Sequence, residues 1–169
     1  MKISIENTEI NGVKVINYDS HLDKRGEIWS TFIQNKFNQL NLSNFNHDKF
    51  SLSYKDVIRG IHYDSLTTKL VTTIYGSINQ IVVDLRKESP TFKKYLSFKI
   101  NSDNRFSVLI PPMVGNAFRV ESEFALYHYK LAYVGGYIDE NKQQTLKWND
   151  PSIGIKWNCK NPILSNRDS

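Results

Sequence analysis

Val57-Ile58-Arg59-Gly60-Ile61-His62-Tyr63 is a strand-like apolar run that carries a guanidinium and an imidazole three residues apart. Successive side chains on a strand point to opposite faces, so Arg59 and His62 would be separated by the sheet unless the strand is interrupted between them. Gly60 stands at that place, and a glycine inside a strand pattern admits a bulge that re-aims one of its neighbours. With such a bulge the run would offer a base beside an anion-binding group. The plain alternative is an ordinary edge strand with a hydrogen-bonded histidine.

The same period of two recurs outward from this run. Ile3/Ile5, Val13/Val15, Phe50/Leu52, Leu70-Val71 with Ile74, Ile78 with Ile81-Val82-Val83, Phe98/Ile100, Phe106/Val108/Ile110, Phe118/Val120 and Leu126 with Tyr127 to Tyr133 all follow it. Gly76-Ser77, Ser89-Pro90, Asn101 to Asn104, Pro111-Pro112 and Gly135-Gly136 punctuate these short runs. Many short strands separated by turn residues predict an all-β sandwich or barrel. Helix is expected only at about Asn35 to Leu40 and at Ser152 to Ile155 after Asp150-Pro151, a turn or two each. No repeat, linker or boundary interrupts the pattern, so residues 1–169 are expected to form a single domain.

A chain of 169 residues, 40% hydrophobic, is long enough to bury a core without staples. Its single cysteine, Cys159, excludes an internal disulfide framework and a multi-cysteine metal site. That usage points to a reducing compartment, and the cytoplasm is the expectation. The first residues include Glu6 and no apolar h-region, and there is no apolar run of about 18 residues, so neither signal peptide nor membrane span is expected. Twenty-two Lys and Arg against seventeen Asp and Glu leave a net charge of +5, with both signs interspersed. A nucleic-acid reading rests on that charge alone, and a small phosphorylated ligand suits it equally.

Further motifs follow one another along the chain. They are Asp23-Lys24-Arg25-Gly26, Ser51-Leu52-Ser53, the run from Val57 to Tyr63, Lys69-Leu70-Val71, Gly76, Val83 to Phe92, Ile110-Pro111-Pro112, Tyr129-Lys130, Trp148-Asn149-Asp150-Pro151, Gly154-Ile155-Lys156-Trp157 and Leu164 to Asp168. In this order they resemble the dTDP-4-dehydrorhamnose 3,5-epimerase family over nearly the whole length. The resemblance implies a jelly-roll, cupin-like β-sandwich acting as a cofactor-independent isomerase on a nucleotide-diphospho-4-keto sugar. The reaction implied inverts C3, or C3 and C5, beside a C4 ketone, for surface polysaccharide such as capsule or lipopolysaccharide. It also implies a homodimer with shared sites, and no nucleic-acid or membrane partner.

Residue by residue, His62 matches the family's base, and an imidazole's ordinary pKa of about 6.5 suits that work. Asp168 matches the carboxylate that pairs with it, orienting the ring as the Asp of a Ser-His-Asp triad does. Tyr129 matches the acid on the opposite face, and alternation places residues 127, 129, 131 and 133 on one side with His128 and Lys130 on the other. Lys69 matches the cation near the C4 oxygen, where a fixed ammonium stabilises an enolate. Arg25 and Arg59 match the pyrophosphate-binding positions, with the Arg25 segment crossing to the neighbouring subunit, and Arg167 assists. Asn116 is assigned to substrate binding, at a position where the family commonly carries His; Met113 stands where it carries Gly.

Departures sharpen the reading. Metal-binding cupins show a His-x-His pair and a later His, whereas this chain reads His62-Tyr63-Asp64 and Pro111-Pro112-Met113-Val114-Gly115-Asn116, so no metal is expected. His47-Asp48-Lys49-Phe50 does not match the family's base-reading Gln and Asn. Together with Gly135-Gly136-Tyr137 before Trp148, it suggests a different nucleotide or a larger sugar, for instance a GDP-linked 4-keto-heptose. Two rival readings are a 3,4-ketoisomerase, which needs no acid facing His62, and a non-catalytic carbohydrate-binding sandwich, which needs no His–Asp pair.

Overall fold

The computed structural model describes residues 2–39, 42, 44–137 and 142–169. Within them the period-two runs become strands: β1 (Ile3–Asn7), β2 (Lys14–Tyr18), β3 (Ser20–Asp23), β4 (Gly26–Trp29), β5 (His47–Tyr54), β6 (Ile58–Tyr63), β7 (Thr68–Tyr75), β8 (Ser77–Asp84), β9 (Tyr95–Asn101), β10 (Phe106–Ile110), β11 (Val114–Val120), β12 (Phe124–Ala132) and β13 (Gln144–Thr145). One sheet has the order β1-β2-β10-β7-β12-β5 and the facing sheet β13-β6-β11-β8-β9, while β3 and β4 form a separate hairpin. Every strand pairing is antiparallel, and neighbours such as β2 with β10 or β6 with β11 are distant in sequence. Two such sheets face to face make a jelly roll.

Three apolar layers hold it together. Val71, Val108, Ile110, Ala125 and Tyr127 of the six-stranded sheet pack between the sheets against Ile78, Val82, Ile100, Val114, Phe118 and Val120 of the other. The outer face of the six-stranded sheet is covered by Phe37, Leu42 and Phe45 over Ile16, Leu70 and Leu109. The outer face of the five-stranded sheet is covered by the C-terminal segment, with Trp157, Trp148, Ile155 and Leu164 lying over Ile58, Ile81 and Val83.

Helix α1 (Gln34–Gln39) forms close to the expected place, with Phe37 buried; Leu40, the expected end, lies outside the described residues. The second expected helix does not form. Ser152 N–H bonds the Asp150 side chain at 2.8 Å and the N–H groups of Ile153 and Gly154 both reach the Asp150 carbonyl at 3.2 Å. Gly154 then turns the backbone to φ 69°, so the chain leaves after one turn and runs on as an extended cover. Among the described residues no helix is long and apolar enough to cross a membrane.

The expected bulge lies in β6. His62 is opposite Asn116 and Arg59 is opposite Phe118, so Gly60 and Ile61 together face the single residue Ala117. Gly60 takes φ 125°, and a Cβ there would lie 2.4 Å from the Ala117 Cβ and 2.6 Å from the Asn116 carbonyl. Glycine alone fits this approach. On β5 the polar Lys49, Ser51 and Ser53 alternate with Phe50, Leu52 and Tyr54, which stand 56%, 53% and 65% exposed on the outer face.

Candidate active site

At one end of the sandwich the space between the sheets opens into a cavity of about 120 Å³, lined by Lys49, Ser51, Arg59, His62, Lys69, Asn116, Tyr129, Leu131, Tyr137, Gln143 and Arg167. Because of the β6 bulge, Arg59 and His62 both line it. Seven of the eight expected site residues are gathered here, with Asp168 immediately behind His62.

Asp168 lies second from the end of the sequence yet is only 3% exposed. The tail is fastened by a parallel bridge between Val57 and Ile163, with Ile58 N–H on the Ile163 carbonyl at 3.1 Å, and then turns through Ser165. This sets Asp168 Oδ1 2.6 Å from His62 Nε2. Burial pushes the Asp168 carboxyl up, but the hydrogen bonds and charge of His62, with Ser165 and the Gly60 N–H, outweigh it and hold the carboxyl below its usual range. The ionised carboxylate therefore accepts a hydrogen bond from Nε2–H and leaves Nδ1 as the basic nitrogen.

Lys69 projects from β7 and is buried beside Asp64, with Nζ 3.7 Å from Oδ2 and 3.4 Å from the His62 carbonyl. Burial pulls its ammonium pKa down, the Asp64 charge opposes this, and Arg167 adds to it. Asp64 is itself occupied, accepting the N–H groups of Leu66 at 2.9 Å and Thr67 at 2.6 Å. Arg59 Nε donates to Ser53 Oγ at 2.9 Å, while Arg167 donates to Thr145 Oγ1 at 2.8 Å and the Gln143 carbonyl at 3.2 Å. These hydrogen-bond partners are all neutral, so both guanidiniums retain their charge for an anionic ligand.

Tyr129 enters from β12, on the sheet facing His62, with its ring edge-on to Tyr127 at 4.5 Å. The alternation expected around it holds: Tyr127 is core, Leu131 lines the cavity, and His128 and Lys130 turn outward to Asp48. Burial raises the Tyr129 phenol to about 12, against the lowering charge of Arg59, so it stays protonated across the neutral range.

Arg25 is the exception. It sits at the β3–β4 turn with its side chain 81% exposed, paired with Asp23, and is not among the cavity residues. Sequence reasoning missed Leu131, Lys49, Ser51, Tyr137 and Gln143 as lining residues. Leu131 could have been found from its alternation with Tyr129. Lys49 and Ser51 required the β5–β12 register, in which they oppose Tyr129 and Tyr127. Among the described residues no three His, Cys, Asp or Glu side chains come together as a metal site.

A nitrogen base on one sheet, a protonated phenol on the other, a buried ammonium and two uncompensated guanidiniums suit proton abstraction beside a carbonyl in an anionic molecule. Fold and cavity thus define a jelly-roll isomerase. The family model described as dTDP-4-dehydrorhamnose 3,5-epimerase matches residues 7–169, and the chain belongs to that family. It is 31% identical to the dTDP-4-dehydrorhamnose 3,5-epimerase of Shigella flexneri over 98% of this chain and 93% of that one. Similarity extends to the dTDP-4-dehydrorhamnose 3-epimerase of Streptomyces niveus, 29% identical over 94% and 78% of the two chains. The crystal structure of the Legionella pneumophila dTDP-6-deoxy-D-glucose-3,5-epimerase with dTDP-4-keto-L-rhamnose superposes with a TM-score of 0.91 at 30% identity, covering 99% of this chain and 90% of that one.

Proposed function

We propose that the protein inverts C3, or C3 and C5, of a dTDP-4-keto-6-deoxyhexose, as a step in surface polysaccharide biosynthesis. The reading is carried by one observation: His62 and Tyr129 reach the same cavity from opposite sheets. In it, His62 Nδ1 removes the proton α to the C4 ketone, and the C–H electron pair moves through the new C=C bond onto the C4 oxygen. Lys69 holds the enolate oxygen and Asp168 stabilises the imidazolium. Tyr129 then delivers its proton to the opposite face of the carbon, and its phenolate and the imidazolium return to their resting states by exchange with solvent. Arg59 and Arg167 grip the pyrophosphate, and Asn116 binds the sugar. Lys69 supplies the positive charge this chemistry requires, so the mechanism calls for neither metal nor cofactor.

The working unit in this proposal is a homodimer of a single domain, residues 1–169, in the cytoplasm, where the free thiol of Cys159 belongs. Phe50, Leu52, Tyr54 and Tyr75 form an exposed apolar face on the six-stranded sheet, and Leu22 and Ile28 are exposed on the β3–β4 hairpin. A second copy would cover these surfaces and receive Arg25 at its own phosphate site.

The test is incubation with dTDP-4-keto-6-deoxy-D-glucose in D2O, followed by NMR. Deuterium entering at C3 alone or at C3 and C5, with inverted product, is expected. Absence of exchange in this sugar, with exchange in a GDP-linked 4-keto-heptose, would transfer the reading to the larger substrate. Absence from both would overturn it.

A further inference from the structure

Behind the cavity lies a buried polar chain of which the proposed mechanism uses only Asn116. Gln80 on β8 and Tyr127 on β12 are both 0% exposed, and Asn116 on β11 is 5% exposed. Gln80 Nε2 donates to the backbone carbonyl of Ile81 at 2.9 Å and to Asn116 Oδ1 at 2.7 Å. Its Oε1 accepts the Tyr127 hydroxyl at 2.6 Å, and that hydroxyl is also 3.3 Å from Asn116 Oδ1. Tyr127 is fixed in turn by Phe118, stacked on it at 4.2 Å.

The direction of this chain follows from its anchor. The Ile81 carbonyl is a backbone acceptor, so the end of Gln80 that faces it must be the amide nitrogen; a flipped amide would set oxygen against oxygen and leave the Tyr127 hydroxyl facing an N–H. With Nε2 so placed, Asn116 presents Oδ1 to it. The Asn116 group left for the cavity is Nδ2, for which no hydrogen bond is found among the described residues. Asn116 stands directly across the β6–β11 pair from His62, so this N–H donor belongs to a cross-strand neighbour of the base.

We propose that Gln80 and Tyr127 are positioning residues that lock the Asn116 amide with its N–H groups toward the cavity, where they bind an acceptor oxygen of the sugar beside the carbon that His62 deprotonates. The inference rests on the proposed epimerase reading. It adds a specificity element: a substrate must carry a ketone or hydroxyl oxygen at that place, and an amino or alkyl group there is rejected. The donor is an amide, so its recognition does not vary with pH.

The discriminating variant is Gln80→Glu. A new carboxyl buried there has its pKa raised by desolvation. Protonated, its single O–H can donate to Asn116 Oδ1 and keep that amide in place, at the loss of the bond to the Ile81 carbonyl; ionised, it draws Asn116 Nδ2 toward itself and turns Oδ1 to the cavity. The titratable and charged groups facing this region are Tyr127 and Tyr129 from β12, Arg59 and His62 from β6 with Asp168 and Arg167 from the tail, Lys69 from β7, Lys49 from β5, and Tyr137; each is present in both proteins. Measured on dTDP-4-keto-6-deoxy-D-glucose, kcat/KM of Gln80→Glu should be highest at low pH, where it should exceed that of Gln80→Met. It should fall about ten- to a hundredfold as pH rises, along a limb the wild type lacks. Affinity for free dTDP should stay unchanged, because the guanidiniums are untouched. Gln80→Met, which removes the chain without adding charge, should lose activity equally at every pH.

A Gln80→Glu profile parallel to wild type, or parallel to Gln80→Met, in a folded protein would overturn the proposal. Weakened dTDP binding would do so as well, since it would show a general disturbance of the site. A wild-type enzyme that fails to exchange the α-proton would instead remove the epimerase reading beneath it.

Discussion

The interior of this sandwich has a dry end and a polar end built from the same strands. Along β12, Ala125 and Tyr127 belong to the core and Tyr129 to the cavity; along β7, Val71 is core and Lys69 cavity; along β11, Phe118 and Val120 are core and Asn116 cavity. One step of two residues, the strand period, converts one end into the other. The dry end gains stability by removing apolar surface from water, about 25 cal/mol for each Å². The polar end buries a lysine, a tyrosine and a histidine–carboxylate pair, whose desolvation opposes folding unless partners compensate. Stability and chemistry are therefore separable along a single strand.

The largest effect expected at the polar end is from His62→Asn. An amide cannot accept the α-proton at neutral pH, so solvent exchange should fall about a thousandfold or more while circular dichroism and the unfolding midpoint stay near wild type. Retained exchange in the pure variant would move the base elsewhere.

Exchanging one residue at each end sharpens the contrast. Ile78→Ala, in the dry layer, should cost about 3 kcal/mol in urea unfolding and leave the kinetic constants of the folded enzyme nearly unchanged. Lys69→Met should do the reverse. Turnover should drop about a hundredfold or more as the enolate loses its cation, while stability changes little, because relief from burying the Lys69 ammonium offsets the ion pair lost at Asp64, which keeps its two backbone donors. If Lys69→Met unfolded the protein and Ile78→Ala abolished turnover, the two ends would not be separable.

The smallest effect concerns Tyr129, a partly buried cavity residue. Its folded pKa of about 12 lies above the ordinary value of 10.0, so the unfolded chain loses this proton first as pH rises. The stabilisation linked to Tyr129 is complete below about pH 10 and is lost as the pH climbs through the folded value. Urea midpoints at pH 9 and 11.5 should thus fall less in Tyr129→Phe than in wild type. Equal slopes would show that water reaches the phenol.

Much of this was legible in one dimension. The period-two runs place the principal strands, and the glycine between Arg59 and His62 foretells the bulge. The ordered motifs bring His62, Lys69, Tyr129 and Asp168 together as a set. The failure of the helix expected at Ser152 to Ile155 has a local cause, the left-handed Gly154, which composition alone does not reveal. Phe50 and Leu52 show the limit of periodicity: alternation says that they share a face with each other, and only packing decides that this face looks outward.

By itself the amino-acid sequence determined the strand-rich class, the bulge and the chemical types available to the site, because these depend on neighbours within a few residues. Tertiary structure alone decided that Lys49 and Ser51 line the cavity and that Arg25 does not. It also joined Gln80, Asn116 and Tyr127 into one polar chain. Those outcomes depend on cross-strand register and on which sheet end stays open. Register between strands distant in sequence is set by the packing of the whole sandwich rather than by any local run.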